Sequence, residues 1–287
     1  MDQENLVVIA LALTSALSNG TSAVLSKYST YKIKPIIVNF LRSLTGTTVL
    51  LILISLIDAK WYTEITFFHA IVILYIAFTG PVLAWYLYIK SLSLGDVSLV
   101  HPITNTYPFV AILMALILFH ESPDLLDILG GFFILFGIRN ITYRKKSKDS
   151  SLEPILYSIM VSILWGVNTV LFKLLLYDAN PLSLALLRSA SSAVIMLPLA
   201  LMNIDKNIKS PKHVTAAICT GLTSDAAGVI LWLLSLQMGE ISTVAILSST
   251  SPIFSAVFSQ IFLKERPSTK RWMGILGTVI GITLISI

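Results

Sequence analysis

The chain has 287 residues, of which 55% are hydrophobic and 12% are charged, and its formal net charge is +5. A soluble domain carries about 25% charged residues, so this composition excludes a soluble globular protein and a disordered chain. A lipid-spanning helix needs roughly 20 apolar residues. Ten such helices would leave only short connections, and hence no room for a catalytic ectodomain.

Ten apolar segments follow one another along the chain, and each is long enough to cross a bilayer as a helix. Their approximate ranges are 6–27, 35–57, 67–89, 97–119, 124–142, 154–176, 180–202, 212–236, 240–263 and 269–287. The first segment lacks a basic leader and is longer than a signal-peptide core, so we expect it to be retained. The sequence thus predicts an all-α integral membrane protein with ten transmembrane helices.

Basic residues predict the orientation in the membrane. The longest connection, residues 143–153, carries four of them, and most other lysines and arginines follow odd-numbered segments. Because basic loops stay in the cytoplasm, we expect a multi-pass plasma-membrane protein with a cytoplasmic linker and both termini outside. This bias also explains the basic composition without nucleic acid as a partner.

The two halves of the chain form an internal repeat. A shift of 146 residues aligns Gly20 with Gly166, Lys27 with Lys173, Pro35 with Pro181, and Arg42 with Arg188. A shift of 144 residues, which allows for a two-residue loop difference, aligns Gly95 with Gly239, Pro108 with Pro252, Glu121 with Glu265, and Gly137 with Gly281. Arginine, lysine, glutamate and proline matches in one register are not expected by chance.

Each repeat contains five predicted helices, in residues 1–142 and 154–287, with residues 143–153 as the basic linker. Because five is an odd number, the second repeat must be inverted in the membrane relative to the first. Inverted repeats are typical of secondary transporters, since two equivalent halves can exchange inward-open and outward-open states of similar energy.

Several chemistries find no support in the sequence. The single cysteine, Cys219, excludes an intrachain disulfide and a multi-cysteine metal site. The four histidines lack metal-ligand spacing, and no phosphate-binding or dinucleotide-binding glycine motif is present. We therefore expect no catalytic residues, no bound metal and no cofactor, and we do not expect an enzyme.

Several motifs carry a family resemblance. The run Leu-Trp-Gly-Val-Asn at 164–168, which Lys173 follows, resembles the first-helix motif of an EamA-type repeat, and residues 181–188 resemble the entry to its second helix. Pro252, followed by Glu-Arg-Pro at 265–267, resembles the signature of its fourth and fifth helices. The first half is a weaker copy. Over essentially its whole length, the chain is similar to the EamA-type drug/metabolite transporters. The resemblance implies a ten-helix fold and transport of small metabolites.

Asp225 is the sharpest candidate for a functional residue. It lies near the middle of the eighth segment, where an ionisable group costs a few kcal/mol to insert, and its repeat partner is Pro81. We expect Asp225 to take and lose a proton as a cavity opens to either side, or to pair with a cationic substrate. A structural hydrogen bond to a neighbouring helix is the alternative.

Further candidates for substrate binding are polar and aromatic. Pro102 and Pro108 should bend the fourth segment, and bent helices at mid-depth often line substrate sites. Polar residues of this segment, near-equivalent asparagines of segments 1 and 6, and aromatic residues of segments 3 and 8 form the candidate set: His101, Asn105, Asn19, Asn168, Tyr86 and Trp232.

Repeated charged residues are expected to be structural. Arg42 and Arg188 should lie on opposite sides of the membrane, with side chains that snorkel toward the interface. Lys27 and Lys173 end their helices, where a cation suits the helix dipole.

Two further motifs concern helix ends and helix contacts. Glu121 and Glu265 lie in turns beside proline, where a carboxylate can cap backbone N–H groups. The Gly277-x-x-x-Gly281 pattern permits a close helix contact, either within the protein or in a homodimer.

These observations predict a secondary active or facilitative transporter of a small organic metabolite, such as an amino acid or a drug-like solute. We expect an exporter that works by alternating access at a central site between the repeats, either proton-coupled or uncoupled. A nucleotide-sugar-type exchanger is an alternative, but it needs a basic central cavity, and the predicted spans place no lysine or arginine at mid-depth. A flippase of lipid-linked substrates and an intramembrane enzyme are further alternatives.

Overall fold

The computed structural model describes residues 3–57, 65–119, 125–142, 151–204, 210–239, 244, 247–248 and 250–285. Within these residues the secondary structure is helical, and no strand occurs. Six helical stretches are long and apolar enough to cross a membrane, and two shorter apolar helices accompany them. The expected all-α, multi-pass class is confirmed, whereas the count of ten spanning helices stays a prediction.

The described residues of the first half form seven α-helices and one π-helical segment. In chain order these are α1 (Gln3–Thr30), α2 (Pro35–Ile57), α3 (Phe67–Ala77), π1 (Phe78–Ala84), α4 (Trp85–Leu94), α5 (Val97–Thr104), α6 (Tyr107–Phe119) and α7 (Leu125–Thr142). The elements α3, π1 and α4 form one continuous helical stretch. Between α5 and α6 the helix is interrupted at Asn105 and Thr106, which confirms the bend predicted for this segment.

The second half follows the same order. Its described elements are α8 (Glu153–Leu175), α9 (Pro181–Met202), α10 (Pro211–Thr220), π2 (Gly221–Gly228), α11 (Val229–Met238), α12 (Ser251–Phe262) and α13 (Thr269–Ile285). The stretch α10–π2–α11 corresponds to α3–π1–α4.

The two π-helical segments lie at equivalent places in the repeats, and they were not predicted. π1 contains Pro81, which has no N–H to donate to a regular helical ladder. Asp225 occupies the equivalent position in π2. Single π-helical turns inside α-helices are frequent at functional sites. The middle of both helical stretches is therefore a candidate functional region.

Polar residues gather inside the molecule, and large apolar side chains face outward. Leu56, Phe67 and Met202 are 79%, 82% and 82% exposed, whereas Ser43 and Ser189 are fully buried. An apolar exterior suits a lipid environment, in which polar groups must find partners within the protein.

Two equivalent lysines bind the ends of neighbouring helices. Nζ of Lys27 donates to the carbonyl oxygens of Leu92 at 2.5 Å and Gly95 at 2.9 Å, at the end of α4. Lys173 makes the same two contacts at the end of α11, at 2.8 Å and 3.5 Å. Each lysine lies in the last turn of its own helix, as expected, but its hydrogen bonds go to the C-terminal end of a neighbouring helix.

Two equivalent glycines bring the halves into close contact. An added Cβ at Gly20 would lie 2.8 Å from Cβ of Phe254 in α12, and one at Gly166 would lie 2.6 Å from Cβ of Val110 in α6. Val110 and Phe254 are themselves equivalent by the shift of 144 residues. The halves therefore interlock through matched contacts, as two repeats related by a pseudo-two-fold axis should.

A glycine face joins α7 to α13. An added Cβ at Gly281 would lie 2.6 Å from the carbonyl oxygen of Gly130, and one at Gly137 would lie 2.7 Å from that of Gly274. Gly277 also faces α7, because its added Cβ would lie 3.4 Å from Cα of Gly137. The Gly-x-x-x-Gly pattern is thus used within the chain, and it is not available to a second copy.

The Glu265 carboxylate caps a helix, as expected, but the helix is α5 rather than α13. Oε1 accepts a hydrogen bond from the backbone N of Val97 at 3.0 Å, and Oε2 accepts one from the backbone N of Ser98 at 3.3 Å. These are orphan donors of the first turn of α5. Glu121, the other predicted cap, lies outside the described residues.

Candidate functional site

A central cavity lies between the two halves. It encloses about 830 Å³ of empty space, part of which is continuous with solvent. Residues of α1, π1, α4 and α5 line it from the first half, and residues of α8, α9, α11 and α12 line it from the second. Pockets that bind small molecules are lined mainly by apolar and aromatic side chains with a few polar groups, and the lining of this cavity has that character.

The cavity straddles the pseudo-two-fold axis. Tyr88 and Trp232 both line it and are equivalent by the shift of 144 residues, and the same holds for Tyr107 and Ser251. Inverted-repeat transporters typically bind their substrates at this position, at the interface of the repeats.

Five of the seven predicted site residues line this cavity: Asn19, His101, Asn105, Asn168 and Trp232. The other two do not. Tyr86 is partly buried and packs against the apolar core around α2 and α4. Asp225 is fully buried behind the cavity wall. The geometry thus brings together most of the predicted set, and their role in binding stays a prediction.

Asp225 binds both repeat-equivalent arginines. Its Oδ1 accepts a hydrogen bond from Nη1 of Arg42 at 2.5 Å and another from Nη2 of Arg188, and its Oδ2 accepts one from Oγ of Ser189. We call these four residues the Asp225 cluster. The added Cβ of a residue at position 46 would lie 2.6 Å from Oδ2 of Asp225, so Gly46 lets α2 approach the carboxylate.

The expected separation of Arg42 and Arg188 across the membrane is wrong. The Oγ of Ser189 lies 3.1 Å from the carbonyl oxygen of Ser43, its repeat equivalent, so α2 and α9 cross at equivalent residues. An axis in the membrane plane inverts depth, and therefore carries a residue near mid-depth onto another residue near mid-depth. The two arginines meet for this reason.

Arg42 is fully engaged by its surroundings. Besides Asp225, its Nε donates to Oδ1 of Asn39 at 3.0 Å and its Nη2 donates to Oγ of Ser43 at 3.0 Å. Its guanidinium carbon lies 4.3 Å from the ring centroid of Trp85, within cation–π range. Nδ2 of Asn39 in turn donates to the carbonyl oxygen of Pro81 in π1 at 2.8 Å.

Arg188 faces the cavity, and the prediction of a central region without basic residues is wrong. It is 5% exposed and lines the cavity wall. Within the described part of the chain, its Nε has no hydrogen-bond partner. A buried donor without a partner costs about 1–3 kcal/mol, and more when it is charged.

Asn168 presents a second unpaired donor to the same cavity. Its Oδ1 accepts a hydrogen bond from Oγ1 of Thr79 at 3.0 Å, whereas its Nδ2 has no partner among the residues that the structure describes. The Cβ of any residue larger than glycine at position 80 would lie 3.0 Å from this Nδ2. Gly80 therefore packs closely against this buried amide nitrogen.

His101 links the two halves beside the cavity. Its Nδ1 is hydrogen-bonded to the hydroxyl of Tyr88 at 2.7 Å, and its Nε2 is hydrogen-bonded to Oγ of Ser251 at 2.9 Å. Nδ2 of Asn105 donates to the carbonyl oxygen of His101 at 3.0 Å, where α5 ends. The interruption of the helix thus holds two predicted site residues in one network.

An aromatic wall closes one side of the cavity. Three rings surround Trp165, with centroid distances of 5.6 Å to Trp85, 5.4 Å to Tyr88 and 6.2 Å to Tyr107. Such spacing is typical of favourable aromatic contacts. Trp165 was singled out in the sequence only through its family motif. Its helical spacing from Asn168, about one turn on the same face, could have marked it as a site residue.

A family model matches both halves of the chain, and several known proteins are similar to it. A model described as the EamA-like transporter family matches residues 6–143 and again residues 152–287. An uncharacterized transporter of Archaeoglobus fulgidus is 24% identical over 202 residues, which cover 69% of each chain. An uncharacterized protein of Methanocaldococcus jannaschii is 29% identical over 133 residues, which cover 46% of this chain and 96% of that protein.

A solved structure shares the fold. This crystal structure of a protein superposes with a TM-score of 0.70 over 96% of this chain and 95% of its own, at 14% sequence identity. Similarity at this level of identity concerns the architecture alone.

Proposed function

Because the chain belongs to the EamA-like transporter family, and so is a multi-pass membrane protein that carries some solute, we propose that it moves a small organic metabolite by alternating access. The observation that supports this proposal most is the cavity wall, which is built from equivalent positions of both halves, Tyr88 and Trp232 among them. Residues 1–142 and 154–287 are the two repeats in this proposal.

The crossing of α2 and α9 is the proposed centre of the motion. There the Asp225 cluster holds α2, α9 and π2 together, while Gly20 and Gly166 allow close contacts of α1 with α12 and of α8 with α6. Because these glycines present no side chain to the facing helix, they are the proposed places where the helices shift against each other. The two halves would rock about the crossing and open the cavity to one side at a time.

We propose that transport is facilitative and not coupled to protons through Asp225. A coupling carboxylate must be reached by protons from the cavity in at least one state. Both oxygens of Asp225 are occupied, and the side chain is 0% exposed. The direction of export, the plasma-membrane location, the cytoplasmic linker and the outward-facing termini stay proposals based on the family resemblance and on the distribution of basic residues.

One observation favours a second candidate, an exchanger of nucleotide-sugar type. Such a protein needs a basic central cavity, and Arg188 lines the cavity here. The nucleoside diphosphate of such a substrate carries two phosphate groups, however. Arg188 is the single lysine or arginine among the described lining residues. We therefore prefer a smaller solute.

The test is a thermal-shift screen of the purified protein against organic acids, amino acids, nucleosides, sugars and cationic drugs, followed by counterflow in proteoliposomes. We expect at least one stabilising solute to show counterflow that an imposed pH gradient does not accelerate. Protein-free liposomes are the control. Stabilising solutes that show no counterflow would contradict the transport proposal, and acceleration by the pH gradient would overturn uncoupled transport.

A further inference from the structure

We infer that the central cavity recognises the carboxylate of an organic acid, and that Arg188 and Asn168 receive it. This inference rests on the proposed transport function and specifies its substrate class. Its foundation is an asymmetry between two side chains that the repeat makes equivalent.

Arg42 and Arg188 share the Asp225 carboxylate but differ at Nε. Nε of Arg42 donates to Asn39. The residue equivalent to Asn39 in the second half is Ala185, which has no side-chain acceptor. Nε of Arg188 therefore lacks the partner that its counterpart has, and this buried atom belongs to a side chain that lines the cavity. A ligand in the cavity can supply the missing acceptor.

The charge of the Asp225 cluster favours an anion. Two guanidinium groups share one carboxylate, so the cluster carries one uncompensated positive charge. Buried charges are stable when they are paired. Among the described residues that line the cavity, none is an aspartate or a glutamate. A cationic solute would thus meet a positive charge and no counter-charge.

Nδ2 of Asn168 is the proposed donor to the second oxygen of the ligand carboxylate. Nδ2 of Asn168 is unpaired in the described structure, while Oδ1 of the same amide is held by Thr79. Gly80 packs against that Nδ2, because an added Cβ would lie 3.0 Å from it. We expect these two N–H donors, one of them charged, to pair with the two oxygens of one carboxylate.

The aromatic wall suits the rest of the solute. Trp85, Tyr88 and Tyr107 around Trp165 offer flat apolar surface on which an apolar body can pack. The net positive charge of the Asp225 cluster repels an α-ammonium group, and the described lining contains no acidic residue to offset that charge. We therefore assign a simple organic acid rather than a zwitterionic amino acid.

The test measures binding to the full chain in detergent, by calorimetry and thermal shift, with probes that share one body. The probes are 3-phenylpropionate, its amide 3-phenylpropanamide, the cation 2-phenylethylamine, the zwitterion phenylalanine and phenyl phosphate. We expect 3-phenylpropionate to bind about tenfold more tightly than each of the others, the effect of one charge-assisted hydrogen bond. Equal or tighter binding of the amine or the amide would overturn anion recognition. Equal or tighter binding of phenylalanine or phenyl phosphate would overturn the assignment to a simple carboxylate.

Variants test the two donors separately. Asn168→Asp places a carboxylate beside the proposed site, so 3-phenylpropionate should bind about tenfold more weakly and 2-phenylethylamine should gain affinity. Asn140→Asp, the same change on α7 outside the cavity lining, is the matched control and should alter neither. Unchanged selectivity in Asn168→Asp would contradict the inference.

Two more variants keep the inference testable if one protein fails to fold. Arg188→Lys retains a cation for Asp225 but removes Nε, and Gly80→Ala crowds Nδ2 of Asn168. Both should weaken 3-phenylpropionate binding, whereas Gly131→Ala, where an added Cβ has no neighbour nearer than 3.7 Å, should not. Full affinity in both would contradict the inference. Binding of 3-phenylpropionate without counterflow would refute transport alone, and counterflow of a cation without acid binding would refute the inference alone.

Discussion

Arg42 and Arg188 donate hydrogen bonds to the same atom, Oδ1 of Asp225, although 146 residues separate them in the chain. Equivalent residues can meet in this way only where the pseudo-two-fold axis passes between them. The cluster therefore marks the axis, and the cavity beside it is the place where the two halves can present equivalent surfaces to one solute.

Replacing the shared acid should destabilise the protein more than any other single change in the cluster. Asp225→Asn leaves two guanidinium groups side by side without a counter-charge, and removing one partner of a buried ion pair costs about 3–5 kcal/mol. We expect a large fall of the thermal unfolding midpoint in detergent. An unchanged midpoint would show that the cluster does not hold the helices together.

The control for this prediction is Arg42→Gln. It leaves Asp225 paired with Arg188 in a neutral pair, so the loss of stability should be smaller than for Asp225→Asn. Ser189→Ala removes one hydrogen bond to the carboxylate and should cost about 1.5–3 kcal/mol. The reverse order of midpoints would contradict the assigned geometry.

The equivalent lysines should contribute unequally to stability. Lys27→Met removes two contacts of 2.5 Å and 2.9 Å, and hydrogen bonds from charged donors contribute about 1.5–3 kcal/mol. Lys173→Met removes one contact of 2.8 Å and a longer one of 3.5 Å, so the midpoint should fall less. Lys212→Met, which changes an exposed lysine, is the control. If its unfolding midpoint falls as much as that of Lys27→Met, the effect is due to the loss of charge and not to the two hydrogen bonds.

Neighbouring glycines of α13 should respond differently to the same substitution. In Gly281→Ala the new Cβ would lie 2.6 Å from the carbonyl oxygen of Gly130, and such overpacking costs typically about 1–3 kcal/mol. In Gly277→Ala the nearest atom is 3.4 Å away, an ordinary contact. Thermal unfolding of the two variants should therefore separate them, and equal midpoints would argue against the tight α7–α13 packing.

Glu265 should stabilise α5 from outside the helix. Glu265→Ala leaves the backbone donors of Val97 and Ser98 unpaired, at a cost of about 0.5–2 kcal/mol. Glu265→Gln keeps one acceptor oxygen and should lose less. Hydrogen exchange at the first turn of α5 would locate the effect, and unchanged protection in Glu265→Ala would contradict it.

Trp232, the repeat equivalent of Tyr88, should contribute to solute binding. Trp232 lines the cavity, and its ring lies 5.9 Å from that of Phe172. Trp232→Ala should weaken binding of 3-phenylpropionate about tenfold, through lost apolar and aromatic contact. Trp272→Ala, which alters a partly buried tryptophan outside the cavity lining, should leave that affinity unchanged. Calorimetry on both variants measures the affinity. A loss in Trp232→Ala alone supports a binding role, and unchanged affinity in Trp232→Ala would contradict it.

The repeat allowed a large part of the architecture to be predicted from the sequence. The shift of 146 residues aligns Lys27 with Lys173, and the shift of 144 residues aligns the carbonyl groups that they bind. The prolines of the fourth segment predict its interruption. These features depend on residue identity and local spacing, which a single sequence contains.

The π-helical segments and the burial of Asp225 could not be predicted in the same way. In a segment that is apolar on nearly all sides, hydrophobic periodicity does not distinguish a π-turn from an α-turn. Whether Asp225 faces a cavity or a helix depends on where α2 and α9 cross. One signal was present: buried charges pair, and Arg42, Arg188 and Asp225 all lie inside predicted spans, so their association could have been inferred from charge balance.

The shared carboxylate also distinguishes this chain from a symmetric pair of either half. Two copies of the first half, paired about the same axis, would place two arginines together with Pro81 at both acidic positions, and no counter-charge would be present. Two copies of the second half would supply two aspartates for two arginines and remove the uncompensated charge. The covalent fusion of two unlike halves is thus what creates a single, electrically unbalanced centre, and neither half can form that centre by self-association.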